Sequence, residues 1–579
     1  MTRSQGTLDQ LQRRIRVARG LEPADCLLHG GQIVNVFTGQ LEPGNVAIAD
    51  GHIAGVGPYD WTARETISLH GHAILPGFID SHMHLESTLL LPRELARLVV
   101  PHGTTATISD SHEVGNVLGI PGIETLAHAA EGVAFDLFLT ASSCVPAALW
   151  EHAGAVLGPD DVANLLRHPR VLALAEMMDF PAVLASDPYV LAKVHLAHQA
   201  GLPVDGHAPG MVGRDLVAYA AAGIRTDHES GTVAEALQKA SLGMLVQIRE
   251  GSIARNLDTL LPLLVNGSLG DDWTLVTDDI LPTDLRRFGH IDHLLRRVVE
   301  AGVDPVQAVR HATLVPARHY RLHDRGAVAP GYRADLVVIE HLREFRPMLV
   351  LKDGKIVARE GHCVAPPPRG TVPVVPSVHL PQLAEEAFRL RLTSETVPVL
   401  RIQPGSLVTL RETHEVCRSD GHWTWQPERD VVLLASIERH RATGNVGLGL
   451  ATGFGFHRPG ALASSVAHDS HNVIVAGTNA RDMLVAVRAL AETGGGFVTV
   501  SDGTVRARLP LPFAGLLSTE PVERVEAGLA AVEAAAAELG VTVPCPFGIL
   551  SFLALSVIPE VRITDQGFFD VVGQRFLGY

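Results

Sequence analysis

Leu75-Pro-Gly-Phe-Ile-Asp-Ser-His-Met-His-Leu-Glu-Ser87 is the stretch on which the reading of the fold turns. Pro76-Gly77 is a turn dipeptide, residues of strand character follow, and the run ends in His82-x-His84. Residues i and i+2 of a strand share a face, so both imidazoles can converge on one ion at the strand's carboxyl end. Imidazole suits divalent Zn, Fe, Mn or Co. The spacing alone means little. With 29 histidines in 579 residues such pairs arise by chance, and a second one, His70-Gly-His72, sits in an ordinary strand and turn. What distinguishes His82 and His84 is their place after Pro-Gly-Phe-Ile-Asp and the ligand-type residues spaced along the chain beyond them.

Over residues 76–325, strand-like apolar runs alternate with helical patterns. The candidate strands are 104–109, 135–140, 171–176, 203–207, 224–228, 244–248 and 273–278, with helical stretches such as 189–200 and 215–222 between them. This alternation predicts an α/β fold, a (β/α)8 TIM-like barrel, with a doubly wound open sheet as the alternative. The barrel rule puts chemistry at the strands' carboxyl ends, where the polar residues of these segments fall.

The flanks have a different period. Residues 23–75 carry short strands punctuated by Gly, Asn and Asp, and residues 326–365 share that character. Together they predict a small split β-sandwich into which the barrel is inserted. Residues 1–22 read as a polar helical lead-in, and Pro366-Pro-Pro-Arg-Gly370 as a stiff linker. Residues 371–579 read as a separate C-terminal α+β domain with strands at 431–437 and 498–501. There Val522, Val525, Leu529, Val532 and Leu539 recur at helical spacing before a stop at Gly540.

A net charge of −16 argues against nucleic acid or an anionic membrane surface as partner. Five scattered cysteines without a CxxC are no disulfide framework and suit a reducing compartment. The arginine-rich first twenty residues lack an apolar signal core, and no apolar run approaches the ~18 residues of a membrane span. A cytoplasmic location is expected.

Along the predicted barrel, His82 and His84 end the first strand, Glu176 ends another, His207 and His228 follow two more, and Asp278 ends the last. Two cations held ~3.5–4 Å apart by such a set could share one hydroxide, lower its pKa and clamp the attacking oxygen. Each member also has a plainer reading: a hydrogen-bonded core histidine, a helix-capping aspartate, a buried ion-paired glutamate. Their spacing, one per βα unit, favours a metal site.

Pro76-Gly-Phe-Ile-Asp-Ser-His-Met-His84 with the later His, His and Asp resembles the amidohydrolase superfamily. More narrowly, the chain is similar to the bacterial and archaeal adenine deaminases. The likeness runs through Ile15-Arg-Val-Ala-Arg-Gly20, Asp110-Ser-His-Glu-Val-Gly-Asn-Val-Leu-Gly119, Glu176-Met-Met-Asp-Phe-Pro181 and Asp205-Gly-His-Ala-Pro-Gly210. It continues in Ala222-Gly-Ile-Arg-Thr-Asp-His-Glu229, Arg249-Glu-Gly-Ser252 and Thr277-Asp-Asp279, and reaches Ala467-His-Asp-Ser-His-Asn472 and Leu509-Pro-Leu-Pro-Phe-Ala-Gly515. The resemblance implies conversion of adenine and water to hypoxanthine and ammonia. It implies two divalent metals, Mn or Fe in the first place and Zn as an option. His82, His84 and Asp278 would hold one metal and His207 and His228 the other, with Glu176 bridging. The catalytic set would be Asp278, Glu176 and His228, with Asp278 moving the proton from the attacking hydroxide to the departing amine.

Further polar residues stand just past strand ends: Glu86, Asp110, His112, Glu113, Glu229 and Asp279. These could add an ion, protonate a ring nitrogen or cap helices. His468 and His471 in the last domain are dense in ligand types, with a structural turn as the plain reading. The chain departs from the family pattern at Asp179, Ser230-Gly231 and Ile280-Leu281, none of them a proposed ligand. Another amidohydrolase activity, on a different heterocycle or a cyclic amide, would use the same metals. A non-catalytic scaffold would have lost ligands, and here every ligand position is filled. The zinc deaminase pattern of His-x-Glu with Pro-Cys-x-x-Cys is absent, since Pro544-Cys545-Pro-Phe-Gly lacks the second cysteine. The expected partners are adenine and water, and a homo-oligomer is compatible with a chain of this size.

Overall fold

The computed structural model describes residues 7–368, 370–403 and 405–579. The first six residues of the expected lead-in and Arg369 of the expected linker lie outside the described residues. The lead-in is the helix Leu8–Ala18, closed at its start by a Thr7–Gln10 capping box. Its apolar side chains Leu8, Leu11 and Ile15 are exposed and only Val17 is buried. Arg13 fastens it instead, reaching Glu22, Asp25 and Asp50.

The first β region contains β1 (Ala24–Asn35), β2 (Gln40–Ala49), β3 (His52–Gly57), β4 (Ala63–Ser68) and β5 (Ala73–Pro76). Gly77 separates β5 from β6 (Phe78–His84). A side chain at Gly77 would lie 2.2 Å from Thr105 Oγ1, so only glycine lets the chain pass there from one sheet to the next.

From β6 to β13 the strands are parallel. β7 (Thr104–Asp110), β8 (Asp136–Ala141), β9 (Val171–Met177) and β10 (Val204–Gly206) pair with β6 in chain order, and β11 (Thr226–Asp227), β12 (Leu245–Arg249) and β13 (Trp273–Val276) form a second parallel group. Two seams join the groups. The Arg225 N–H donates to the Val204 carbonyl at 3.0 Å beside β10 and β11. Met83 and Asp278 form a parallel bridge between β6 and the end of β13, where the Asp278 N–H donates to His82 at 3.1 Å. The result is a parallel sheet curled until its ends meet, consistent with a TIM-like barrel. β6, β7, β9, β12 and β13 are buried at every residue, as strands covered on both faces must be.

After the last barrel helices, β14 (Leu336–Ile339), β15 (Pro347–Lys352), β16 (Lys355–Arg359) and β17 (His362–Cys363) return to the first β region. β14 pairs antiparallel with β5, and the whole forms one nine-stranded sheet. Residues 371–579 contain an eight-stranded sheet that includes Val431–Ile437 and Gly496–Ser501. The helix Ala480–Glu492 covers one face through Met483, Val487 and Leu490. The helix Val522–Glu538 buries Val522, Val525, Leu529 and Val532 in an apolar cluster shared with the curled sheet. Gly540, at φ 91°, ends the turn after it.

Candidate active site

His82 and His84 point the same way from the last turns of β6, as alternate residues of one strand do. Asp278 Oδ1 lies 3.3 Å from Nε2 of each. Glu176, near the end of β9, stands between this pair and the next. Its Oε1 is 3.4 Å from His84 Nε2, and its Oε2 is 2.7 Å from His207 Nδ1 and 3.3 Å from His228 Nε2. The His82 and His228 rings stack at 4.1 Å. All six residues are buried.

Burial alone would push the Glu176 and Asp278 carboxyls up. The surrounding imidazoles, His228 foremost, hold both well below the usual carboxylate range, and Arg249 adds to this at Asp278. Of the buried ring nitrogens with no hydrogen-bond partner among the described residues, His82 Nε2 faces Asp278, whereas His84 Nδ1, His207 Nε2 and His228 Nδ1 are the ring atoms opposite those that face Glu176 and Asp278. Such orphaned nitrogens are costly unless another ligand satisfies them. His82, His84 and Asp278 form one group whose ligand atoms lie within 4.8 Å of one another, and His82, Glu176 and His228 form another. Four imidazoles and two carboxylates arranged in this way fit a pair of divalent cations.

The remaining candidates surround this core. Asp110 accepts from the Glu176 N–H at 3.1 Å and lies 3.0 Å from His112 Nδ1. Glu86 accepts from the Val114 N–H at 3.1 Å, and burial beside Glu113 pushes its carboxyl up to about 7. Glu229 lies 3.5 Å from His228 and is ion-paired to Arg249. Asp279 takes the Ser87 hydroxyl. Glu113 is gripped from the last region of the chain: His468 Nδ1 reaches one oxygen at 2.7 Å and His471 Nε2 reaches the other.

That grip reads as hydrogen bonding. The Ala467 N–H donates to His471 Nδ1 at 3.1 Å, which places the ring proton on Nε2, facing Glu113. Opposed by burial but drawn by Glu113, the His468 imidazole is pushed up to about 9.

Three residues here were not among the expected site residues. Arg249, at the end of β12, spans Glu229 and Asp278, with 2.8 Å to Asp278 Oδ2. Asp469 lies 3.6 Å from His112. Asp80 accepts the Thr277 hydroxyl at 2.5 Å and lies 3.0 Å from His290 Nε2. Arg249 was visible as part of Arg249-Glu-Gly-Ser252, but only the adjacency of three strand ends shows what it touches.

Lys239 secures the His207 and His228 loops to each other. Fully buried, it donates to Asp227 at 2.7 Å, Glu235 at 2.8 Å and the Ala208 carbonyl at 2.8 Å. Lys239→Ala would leave two buried carboxylates without their cation. We expect a loss of about 3–5 kcal/mol, read from the midpoint of urea unfolding; an unchanged midpoint would show the cluster to be dispensable.

Residues 73–357 match the family model described as Amidohydrolase family, and residues 406–575 match the one described as Adenine deaminase C-terminal domain. The chain is 47% identical over 560 residues to an adenine deaminase of Methanothrix thermoacetophila, covering 96% of this chain and 97% of that protein. The chain belongs to the adenine deaminase family. A second member, from Desulfatibacillum aliphaticivorans, is 43% identical over 562 residues, with 96% and 97% covered. A third, from Kosmotoga olearia, is 42% identical over 566 residues, with 97% and 98% covered. Among solved structures, the L-hydantoinase of Arthrobacter aurescens covers 59% of this chain and 97% of its own at 16% identity. The TM-score of that likeness is 0.45.

Proposed function

We propose that the chain hydrolyses adenine to hypoxanthine and ammonia. Water forms a new C6–O bond, the C6–N6 bond breaks, and the amine leaves with the protons it needs. The observation that carries this reading is Glu176 set between two histidine pairs, with Asp278 opposite, in a chain akin to adenine deaminases over nearly its whole length.

His82, His84 and Asp278 would hold one divalent cation, His207 and His228 the other, and Glu176 both, with manganese or iron preferred to zinc. When bound, such ions supply an activated water at neutral pH. Asp278 would accept the proton of the attacking water and pass it to the departing amine, and Arg249 fixes the carboxylate for both transfers. Glu176 and His228 keep the site's geometry around the reacting carbon. Asp110 orients His112 and the Glu176 backbone.

Under the same reading the chain has four parts: a lead-in at 1–22, a split β-sandwich at 23–75 and 326–365, a (β/α)8 barrel at 76–325, and the C-terminal domain at 371–579. It works in the cytoplasm, with adenine and water as partners. No helix among the described residues is long and apolar enough to cross a membrane.

The test is ammonia release from adenine by purified protein, stripped of metal and reloaded with Mn²⁺, Fe²⁺ or Zn²⁺. Metal-dependent release with hypoxanthine as co-product is expected. Metal binding with adenine untouched would redirect the search to other heterocycles and cyclic amides.

A further inference from the structure

Between the carboxyl ends of the curled sheet and the last region of the chain lies a slot that the chemistry above leaves unused. Only about 30 Å³ of it admits the centre of a water molecule, so it is narrow. Ile253 and Ile280 line it from the barrel side, and His468 and Phe552 from the other. Asp279 and Ser87 supply polar groups. None of the six proposed metal ligands lines the slot, but Asp279, which does, adjoins Asp278 in the chain.

The far wall is built, not loose. The Phe552 ring stacks on the His468 imidazole with centroids 4.3 Å apart and planes 13° apart. His468 is held by Glu113 at 2.7 Å through its ring and by the Ser551 carbonyl at 3.1 Å through its backbone N–H. Phe552 closes the helix Pro546–Phe552 and is itself buried. On the near side, a side chain on Gly548 would lie 2.4 Å from Ile253 Cδ1, so the two regions already touch at the slot's edge.

A thin gap with apolar and aromatic walls and a carboxylate beside the reaction centre suits a flat heterocycle carrying N–H groups on its edge. We propose that the substrate's ring lies in this slot, between Ile253 and Ile280 on one side and the His468–Phe552 pair on the other, with Asp279 accepting an N–H from its edge. This deepens, and rests on, the adenine reading. The last region of the chain is thereby a determinant of specificity rather than an appendage.

Steady-state kinetics with adenine on the full-length, metal-loaded protein tests it, with metal content measured alongside. Phe552→Ala should raise KM at least tenfold, leave kcat within threefold and leave metal content unchanged, and Phe552→Tyr should restore KM to within threefold. Ile253→Ala, which alters the opposite wall at the edge of the barrel, should raise KM about threefold even if Phe552→Ala does not fold. KM within twofold of the parent in Ile253→Ala, and in Phe552→Ala where that variant folds, would overturn the slot while leaving adenine deamination standing. A parent protein that binds metal but releases no ammonia from adenine would overturn both together.

Discussion

Asp278→Asn is expected to keep its fold and most of its metal while losing about 10²–10⁴-fold in kcat, the range that positioned acid–base groups contribute. Asp278 sits at φ 58°, in the left-handed region, which asparagine adopts as readily as aspartate. The amide preserves the side chain's shape and still offers His82 and His84 an oxygen. What it lacks is the charge that faces those imidazoles at 3.3 Å and Arg249 at 2.8 Å, and with it the ability to receive a proton. kcat measured beside metal content separates the roles. Near-parental kcat would remove Asp278 from proton transfer.

Glu176→Gln should fail in the opposite way. Glu176 is the one carboxylate in contact with both histidine pairs, through Oε1 to His84 and through Oε2 to His207 and His228. A neutral amide offers one oxygen where two anionic ones stood, and its NH2 group would point at nitrogens that need an acceptor or a cation. Metal affinity should fall by more than the roughly 10–100-fold that loss of an outer partner of a ligand costs, and turnover should fall with it. Metal titration followed by mass spectrometry of bound ions checks this. If Glu176→Gln retains two ions per chain, Glu176 does not bridge them.

The strand-end residues were legible because each βα unit presents one polar position after an apolar run. Even β11, two residues long, was marked by Ile224-Arg-Thr-Asp-His228. The contacts of Arg249 were not legible, since its pairing with Glu229 and Asp278 exists only where three neighbouring strands end side by side. His468 and Glu113 are 355 residues apart, and no local period encodes such a meeting. The lead-in helix taught the converse. Leu8, Leu11 and Ile15 recur as a buried face would, yet Arg13 and its three carboxylates decide which side turns inward. Glu22, Asp25 and Asp50 are too dispersed in sequence to signal that.

β5 pairs with β1 on one side and with β14, far later in the chain, on the other, and it leads through Gly77 directly into the strand that carries His82 and His84. During synthesis its second neighbour does not exist until the whole curled sheet has been made. Such long-range pairing delays folding, because loop-closure entropy is spent before the contact is gained. Refolding from denaturant should therefore be slow, and a nascent chain stopped before residue 336 should hold its histidines on a strand that follows directly from a β5 lacking one of its two neighbours.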